Sequence, residues 1–234
     1  MKIGVIIAMD IEYRQMHAAI GGDTGRLGDN DIVLWQCGIG KVNAAIGTMR
    51  LVAAHHPDSI ISTGLAGGID PLIQVLDVLA ATQCVYHDVD CGTGLGCSLG
   101  QVQGLPARFD ADSHLLNHAL QTAKRFSLPH TTESLDHRQQ TPLRTGLICT
   151  GDQFITDRER QNAIKRNFPD GLACDMESAA IAHSCHLLSI PFLSLRVISD
   201  TPGNTDNHQQ QWEQFLATMC DRSFHFVKQY LETL

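Results

Sequence analysis

The sequence predicts a single α/β domain spanning 1–234, and three observations carry that prediction. Near-continuous apolar runs of strand length, such as Lys2–Ala8, Ser59–Gly68 and Pro191–Ser199, read as buried strands. Segments with helical spacing of apolar residues stand between them, notably Asp10–Met16, Lys41–His55 and Ala111–Phe126. A chain of 234 residues with 43% hydrophobic content has the length and core material of one large α/β domain.

The stretch Ala173–His183, continued by Leu193–Asp200, organises the rest. Its first half reads as the start of a helix, with Asp175 able to cap the turn and small residues after Glu177. Its second half is an apolar strand closed by the carboxylate of Asp200. One acid thus falls at a strand-to-helix junction and another at the C-terminal edge of a strand, where open α/β sheets bind ligands. On those two residues alone, a capping Glu and a loop Asp are the plainer explanation.

In chain order, Lys2–Ala8 is the first strand, and a helix begins at Asp10. Glu12 lies in its first turn, where the helix dipole favours a carboxylate; it is also placed to act as a base above the sheet. Gly21–Asn30 reads as a turn region and Ile32–Gln36 as a strand. The glycine turn Cys37–Lys41 then opens a helix to about His55. It is a poor dinucleotide fingerprint, because a third glycine is missing at the usual spacing and Asp58 precedes the next strand. The strand from Ser59 runs into glycines that let backbone approach a ligand closely. Asp77–Tyr86 reads as a strand. His87, Asp88, Asp90 and Cys91 offer metal-type donors, but neighbours on a strand alternate faces and converge poorly on one ion.

Cys91–Pro106 is a glycine-rich loop, long enough to suit binding or subunit contact. His130–Thr141 is polar and carries no readable chemistry. Leu147–Ile155 leaves a strand for a loop in which Phe154 is able to stack on a planar base. Thr156–Asn167 reads as a solvated charged helix, and about Gln209–Glu232 as a final amphipathic helix containing Trp212.

Several function classes are disfavoured. A net charge of −8 with no basic run argues against a nucleic-acid partner. No stretch has the length of a membrane-spanning helix, and Met1–Asp10 turns acidic too soon for a signal peptide. A cytoplasmic protein is therefore expected. The cysteines at 37, 84, 91, 97, 149, 174, 185 and 220 form no C-x-x-C pair and read as reduced, mostly buried thiols. No G-x-S-x-G elbow and no Walker loop occur.

Seven motifs then occur in order: Ala8–Glu12, Gly38–Val42, Thr63–Gly68, Tyr86–Asp88, Gly151–Ile155, Met176–Glu177 and Arg196–Asp200. Together they resemble the bacterial 5′-methylthioadenosine/S-adenosylhomocysteine nucleosidases, within the purine nucleoside phosphorylase and hydrolase superfamily. The resemblance runs from Met1 to about Phe215 and is weakest over Leu105–Thr141. It implies a three-layer sandwich, a central mixed sheet flanked by helices. It implies cofactor-free hydrolysis of the bond joining adenine to a 5′-thio-substituted ribose.

The resemblance places the water-activating base on Glu12, the ribose-hydroxyl acceptor on Glu177 and the acid for adenine N7 on Asp200. Met176 would pack on the sugar. Ile155 would hold adenine through its backbone, and Phe154 would stack on it. Ser199 would support the acid's loop, Gly67 and Ala8 would lie beside the substrate, and Arg196 near base and water. A homodimer is implied, with the 91–106 loop completing the neighbour's site.

Those roles suit the chemistry. Cleaving an N-glycosidic bond builds positive charge on the sugar and negative charge on the base. It therefore needs a proton donor at the purine, a base for water and a hold on the ribose. Three departures bear on the 5′-substituent. Leu65 replaces a common hydroxyl residue, Trp212 stands where Phe is usual, and the run from Thr201 is longer. A nucleoside phosphorylase is the nearest rival, but Ile61–Thr63 supplies no Arg for phosphate. A futalosine-type hydrolase and a non-catalytic nucleoside sensor are further alternatives.

Overall fold

The computed structural model describes residues 1–126, 143–201 and 220–234, without the side chains of 220–223. Predicted features at His130–Thr141, Trp212 and the first half of the final helix lie outside the described residues.

The strands are β1 (Lys2–Ile7), β2 (Thr24–Leu27), β3 (Asn30–Gln36), β4 (Ser59–Gly68), β5 (Val78–Tyr86), β6 (Phe109–Asp110), β7 (Arg144–Thr150), β8 (Gly171–Asp175) and β9 (Phe192–Asp200). The helices are α1 (Asp10–Ile20), α2 (Lys41–His55), α3 (Ser113–Arg125), α4 (Arg158–Asn167), α5 (Ser178–Leu188) and α6 (Cys220–Thr233). The 91–106 segment is loop apart from a 3₁₀ turn at Thr93–Leu95.

The sheet is mixed, and part of it closes on itself. β4 runs parallel to β1 and β9, and its last residues pair antiparallel with β8. β9 pairs antiparallel with β5, β5 parallel with β7, and β7 parallel with β8. The circuit β4–β9–β5–β7–β8 therefore returns to β4. A register shift between Ala66 and Gly67 helps β4 switch partners, as bulges do where a sheet bends.

Helices cover both faces. On β1, Ile3, Val5 and Ile7 enter the core formed with α1, α3 and α6, where Met16, Leu115, Phe226 and Tyr230 pack. Ile6 points the other way, into the core of α2 and α5 with Leu51 and Ile181. This period of two is what a strand buried on both sides requires. α4 caps a third cluster through Ile164. The layered α/β arrangement with a mixed central sheet agrees with expectation.

Two readings need correction. β2 lies inside the predicted turn region 21–30, pairing antiparallel with β3 despite its glycine and charge. Ala173–Asp175 is the end of a strand, and the helix starts at Ser178. Among the described residues no helix is long and apolar enough to cross a membrane. The cysteines at 37, 84, 91, 97, 149, 174 and 185 are free thiols.

Candidate active site

A cavity of about 460 Å³ opens beside the C-terminal ends of β1, β4 and β9. Glu12 reaches it from the first turn of α1, Glu177 from the residue preceding α5, and Asp200 from the last position of β9. Carboxylates far apart in sequence thus meet in one cleft.

Glu12 is held at both oxygens. Its Oε1 accepts the Leu65 amide at 2.9 Å and its Oε2 accepts the Met9 amide at 3.1 Å. Burial pushes its pKa up to about 7, against the pull of those amides and of Arg196. Glu177 Oε1 accepts the Gly40 amide at 2.8 Å. Burial, then the charge of Asp175, pushes Glu177 up to about 7 as well. Two carboxyls near neutrality in a cleft are what proton-transfer chemistry calls for.

Asp200 is 5% exposed. Ser199 Oγ donates to its Oδ1 at 2.6 Å and lies 3.3 Å from the Ala66 carbonyl. Gly67 is in register with Asp200 on one edge and with Cys174 on the other, at the seam between β9 and β8. Ala8 and Met176 line the cavity, with Ile155 buried and Phe154 57% exposed on the 151–157 loop. Every predicted site residue among the described ones therefore borders this cavity. No residue of the 91–106 loop does.

Arg196 is sealed beneath the site. Its Nε donates to Asp175 Oδ2 at 2.9 Å and its Nη2 to Ser62 Oγ at 2.9 Å. Burial acts to lower its pKa, but Asp175, Glu177 and Glu12 around it outweigh that and hold it above its ordinary value.

Asp175 is the residue whose importance sequence reasoning missed. It does accept the Ser178 amide, as a cap would. It also accepts Thr150 Oγ1 at 2.6 Å, Ser178 Oγ and the Arg196 guanidinium. The available signal was an acid two residues before Glu177 with an Arg on the next apolar run in sequence. A second missed group is Lys41, whose Nζ lies 2.8 Å from both oxygens of Asp88. Asp88 is thereby committed to a cation of the chain itself, and among the described residues no three His, Cys, Asp or Glu side chains are grouped so as to hold a metal ion.

A family model described as the phosphorylase superfamily matches residues 3–232. The chain belongs to that superfamily. The 5′-methylthioadenosine/S-adenosylhomocysteine nucleosidase of Geobacillus sp. (strain WCH70) is 38% identical over 245 aligned positions, covering 100% of this chain and 99% of that protein. The crystal structure of the nucleosidase of that name from Neisseria meningitidis, in complex with methylthio-immucillin-A, matches with a TM-score of 0.87 at 33% identity. It covers 100% of this chain and 99% of the other. The corresponding structure from Colwellia psychrerythraea, in complex with adenine, matches with a TM-score of 0.87 at 33% identity, covering 100% and 96%. Within the superfamily, then, this chain shares sequence and fold over its whole length with proteins that carry the nucleosidase name.

Proposed function

We propose that this superfamily member hydrolyses the N-glycosidic bond of 5′-methylthioadenosine and S-adenosylhomocysteine, releasing adenine and the 5′-thio-substituted ribose. The convergence of Glu12, Glu177 and Asp200 on one cavity carries the reading. The names and ligands of the full-length relatives support it.

In this reading Glu12 takes a proton from the attacking water. With a pKa near 7, a useful fraction is ionised at neutral pH, and its two backbone bonds fix its aim. Glu177 keeps one oxygen on Gly40 and offers the other to a ribose hydroxyl, countering the positive charge that grows on the sugar. Asp200, aligned by Ser199, protonates the purine as the bond breaks. Assistance of this kind contributes about a hundred- to ten-thousand-fold for each group. Ala8, Gly67 and Met176 shape the sugar side, and Phe154 and Ile155 take the base.

Water is favoured over phosphate by electrostatics. Glu12, Asp175, Glu177 and Asp200 border the cavity, and its one guanidinium among the described residues, Arg196, is bonded to Asp175 and Ser62. The Leu65 and Met9 amides, potential anion donors, already serve Glu12. Adenine release from 5′-methylthioadenosine, measured with and without phosphate, tests the reading. Equal rates are expected, and formation of the ribose 1-phosphate would overturn it.

We infer also a homodimer. Val42, Ile46 and Met49 are exposed at helical spacing on α2, with exposed Ile39 in the turn before it. The 91–106 loop, with exposed Leu95 and Leu99, leaves β5 beside them, since Lys41 at the start of α2 bonds Asp88. A second copy would cover this apolar face. Sedimentation of Val42→Glu is expected to show monomer where wild type shows dimer. Free thiols throughout the described cysteines suit a reducing compartment and support a cytoplasmic location.

A further inference from the structure

The glycine turn at Gly38–Lys41 supplies the reaction with a backbone amide for Glu177 but no side chain. It does not serve as a phosphate loop. The Gly40 and Lys41 amides, which such a loop would give to a ligand, are already taken. Gly40 N–H donates to Glu177 Oε1 at 2.8 Å, and Lys41 N–H donates to Asp152 Oδ1 at 2.8 Å.

The physical cause is the start of α2. That helix has no acidic residue in its first turn and no side-chain cap of its own. Its leading amides need acceptors, and its positive dipole end favours anions. Two distant carboxylates supply both, one from the start of α5 and one from the loop after β7. Gly40 is required here, because its φ is +93° and a Cβ would meet Asp152 Oδ1 at 3.0 Å.

The Lys41 side chain closes the arrangement. Its Nζ bonds both oxygens of Asp88 at 2.8 Å and stands 3.7 Å from Asp152 Oδ2. Asp88 Oδ2 in turn accepts the Asp152 amide at 2.9 Å. The ammonium also sits 5.4 Å from the centre of the Tyr86 ring. Lys41 and Asp88 keep only 22% and 13% of their side-chain surface exposed, so solvent screens this pair less than an ordinary surface bridge. Without the ammonium, Asp88 and Asp152 would face each other as like charges.

We propose that Lys41 is a positioning residue, bracing the loop that carries Phe154 and Ile155 against the turn that holds Glu177. The Lys41 amide already ties Asp152 to the turn, and the ammonium adds a second tie through Asp88 that fixes the base-binding side of the cavity. This rests on the nucleoside reading of the cavity and adds a residue to it. The brace acts on the base side, because Glu177 is held by a backbone amide that substitution of Lys41 leaves in place.

The test is calorimetric binding of adenine and, separately, of 5-methylthioribose to wild type, Lys41→Met, Lys41→Arg and Asp88→Asn. Lys41→Met is expected to weaken adenine about tenfold, the worth of one charge-assisted hydrogen bond, while 5-methylthioribose binding stays within about twofold. Lys41→Arg should recover most of the adenine affinity. Asp88→Asn keeps the side-chain shape, cuts the pair from its other end and should show the same selective loss even if Lys41→Met does not fold. Unchanged adenine binding overturns the brace while the nucleosidase reading stands. Equal weakening of both ligands overturns it too, because that is the mark of a general structural role. Wild-type protein that binds no adenine overturns the nucleoside reading, and the brace with it.

Discussion

Arg196 Nε donates to Asp175 Oδ2 at 2.9 Å, and both side chains are almost fully withdrawn from solvent, at 3% and 1% exposure. This buried pair underlies the cavity floor and ties β9 to β8. Asp175→Ala would take away the carboxylate bonded to the buried Arg196 guanidinium, leaving it Ser62 and the charges of Glu12 and Glu177, at a cost of up to about 3–5 kcal/mol in unfolding free energy. Urea unfolding should show it. Asp175→Asn, which preserves shape and can still accept a hydrogen bond, should cost less.

The pH dependence of turnover and of stability should run in opposite directions. Glu12 must be ionised to act as a base, so kcat/KM is expected to rise with pH through a midpoint near 7. Its folded pKa is raised, so the folded state holds this proton more tightly than the unfolded chain. Stability at Glu12 is therefore fully kept below pH 4.5 and lost as pH rises toward 7. From that shift, the loss reaches roughly 3 kcal/mol. Glu177 acts in the same sense. Denaturant midpoints at pH 5.5 and pH 8, set beside the rate profile, check both.

Asp200→Asn should lose about a hundred- to ten-thousand-fold in kcat if its proton is what the purine receives. Asparagine keeps the size of the side chain, so adenine binding by calorimetry should survive. Near-normal turnover would remove Asp200 from the mechanism.

Gly64 has φ +152°, and a Cβ there would stand 2.9 Å from Glu12 Oε1. Gly64→Ala therefore strains the backbone as well as pressing on the carboxylate, so a lower melting temperature and a displaced Glu12 are both expected. A shift approaching 1 Å in a reacting group costs about a hundredfold in rate. Steady-state kinetics should show the loss in kcat.

Phe154 is 57% exposed. Phe154→Ala should leave the melting temperature nearly unchanged, since exposed substitutions shift stability by no more than about 0.5 kcal/mol. If the ring stacks on adenine, KM should rise about two- to tenfold, from an aromatic contact worth about 0.5–1.5 kcal/mol.

The alternation of strands and helices was legible because β1, β4 and β9 are long and apolar and α2 and α3 carry clear helical spacing. β2 was not, since Thr24–Leu27 has two exposed residues and owes its extended form to pairing with β3. β8 was hidden because five residues ending in Asp175 resemble a helix lead-in, and its identity comes from its neighbours β4 and β7. Closure of the strands was invisible, because it depends on long-range pairings such as Ala80 with Leu195. At the site, Glu12, Glu177 and Asp200 stood out at element ends, but their roles came from the family resemblance, since capping and loop acids occupy the same positions. Asp175 could not be weighed, because a carboxylate before a helix looks like a cap whether or not an arginine approaches from another strand. Lys41 was equally hidden, since its partners lie 47 and 111 residues away.

The circuit of strands under the cavity has a consequence for which parts of the site are free to vary. A hydrogen-bonded loop of strands has no outer edge from which to peel, so the machinery anchored on β4, β8 and β9 sits on a foundation that yields only when the whole molecule opens. Diversification is channelled to the rim, where Phe154 and the surrounding loops can change length and side chain without loosening a strand.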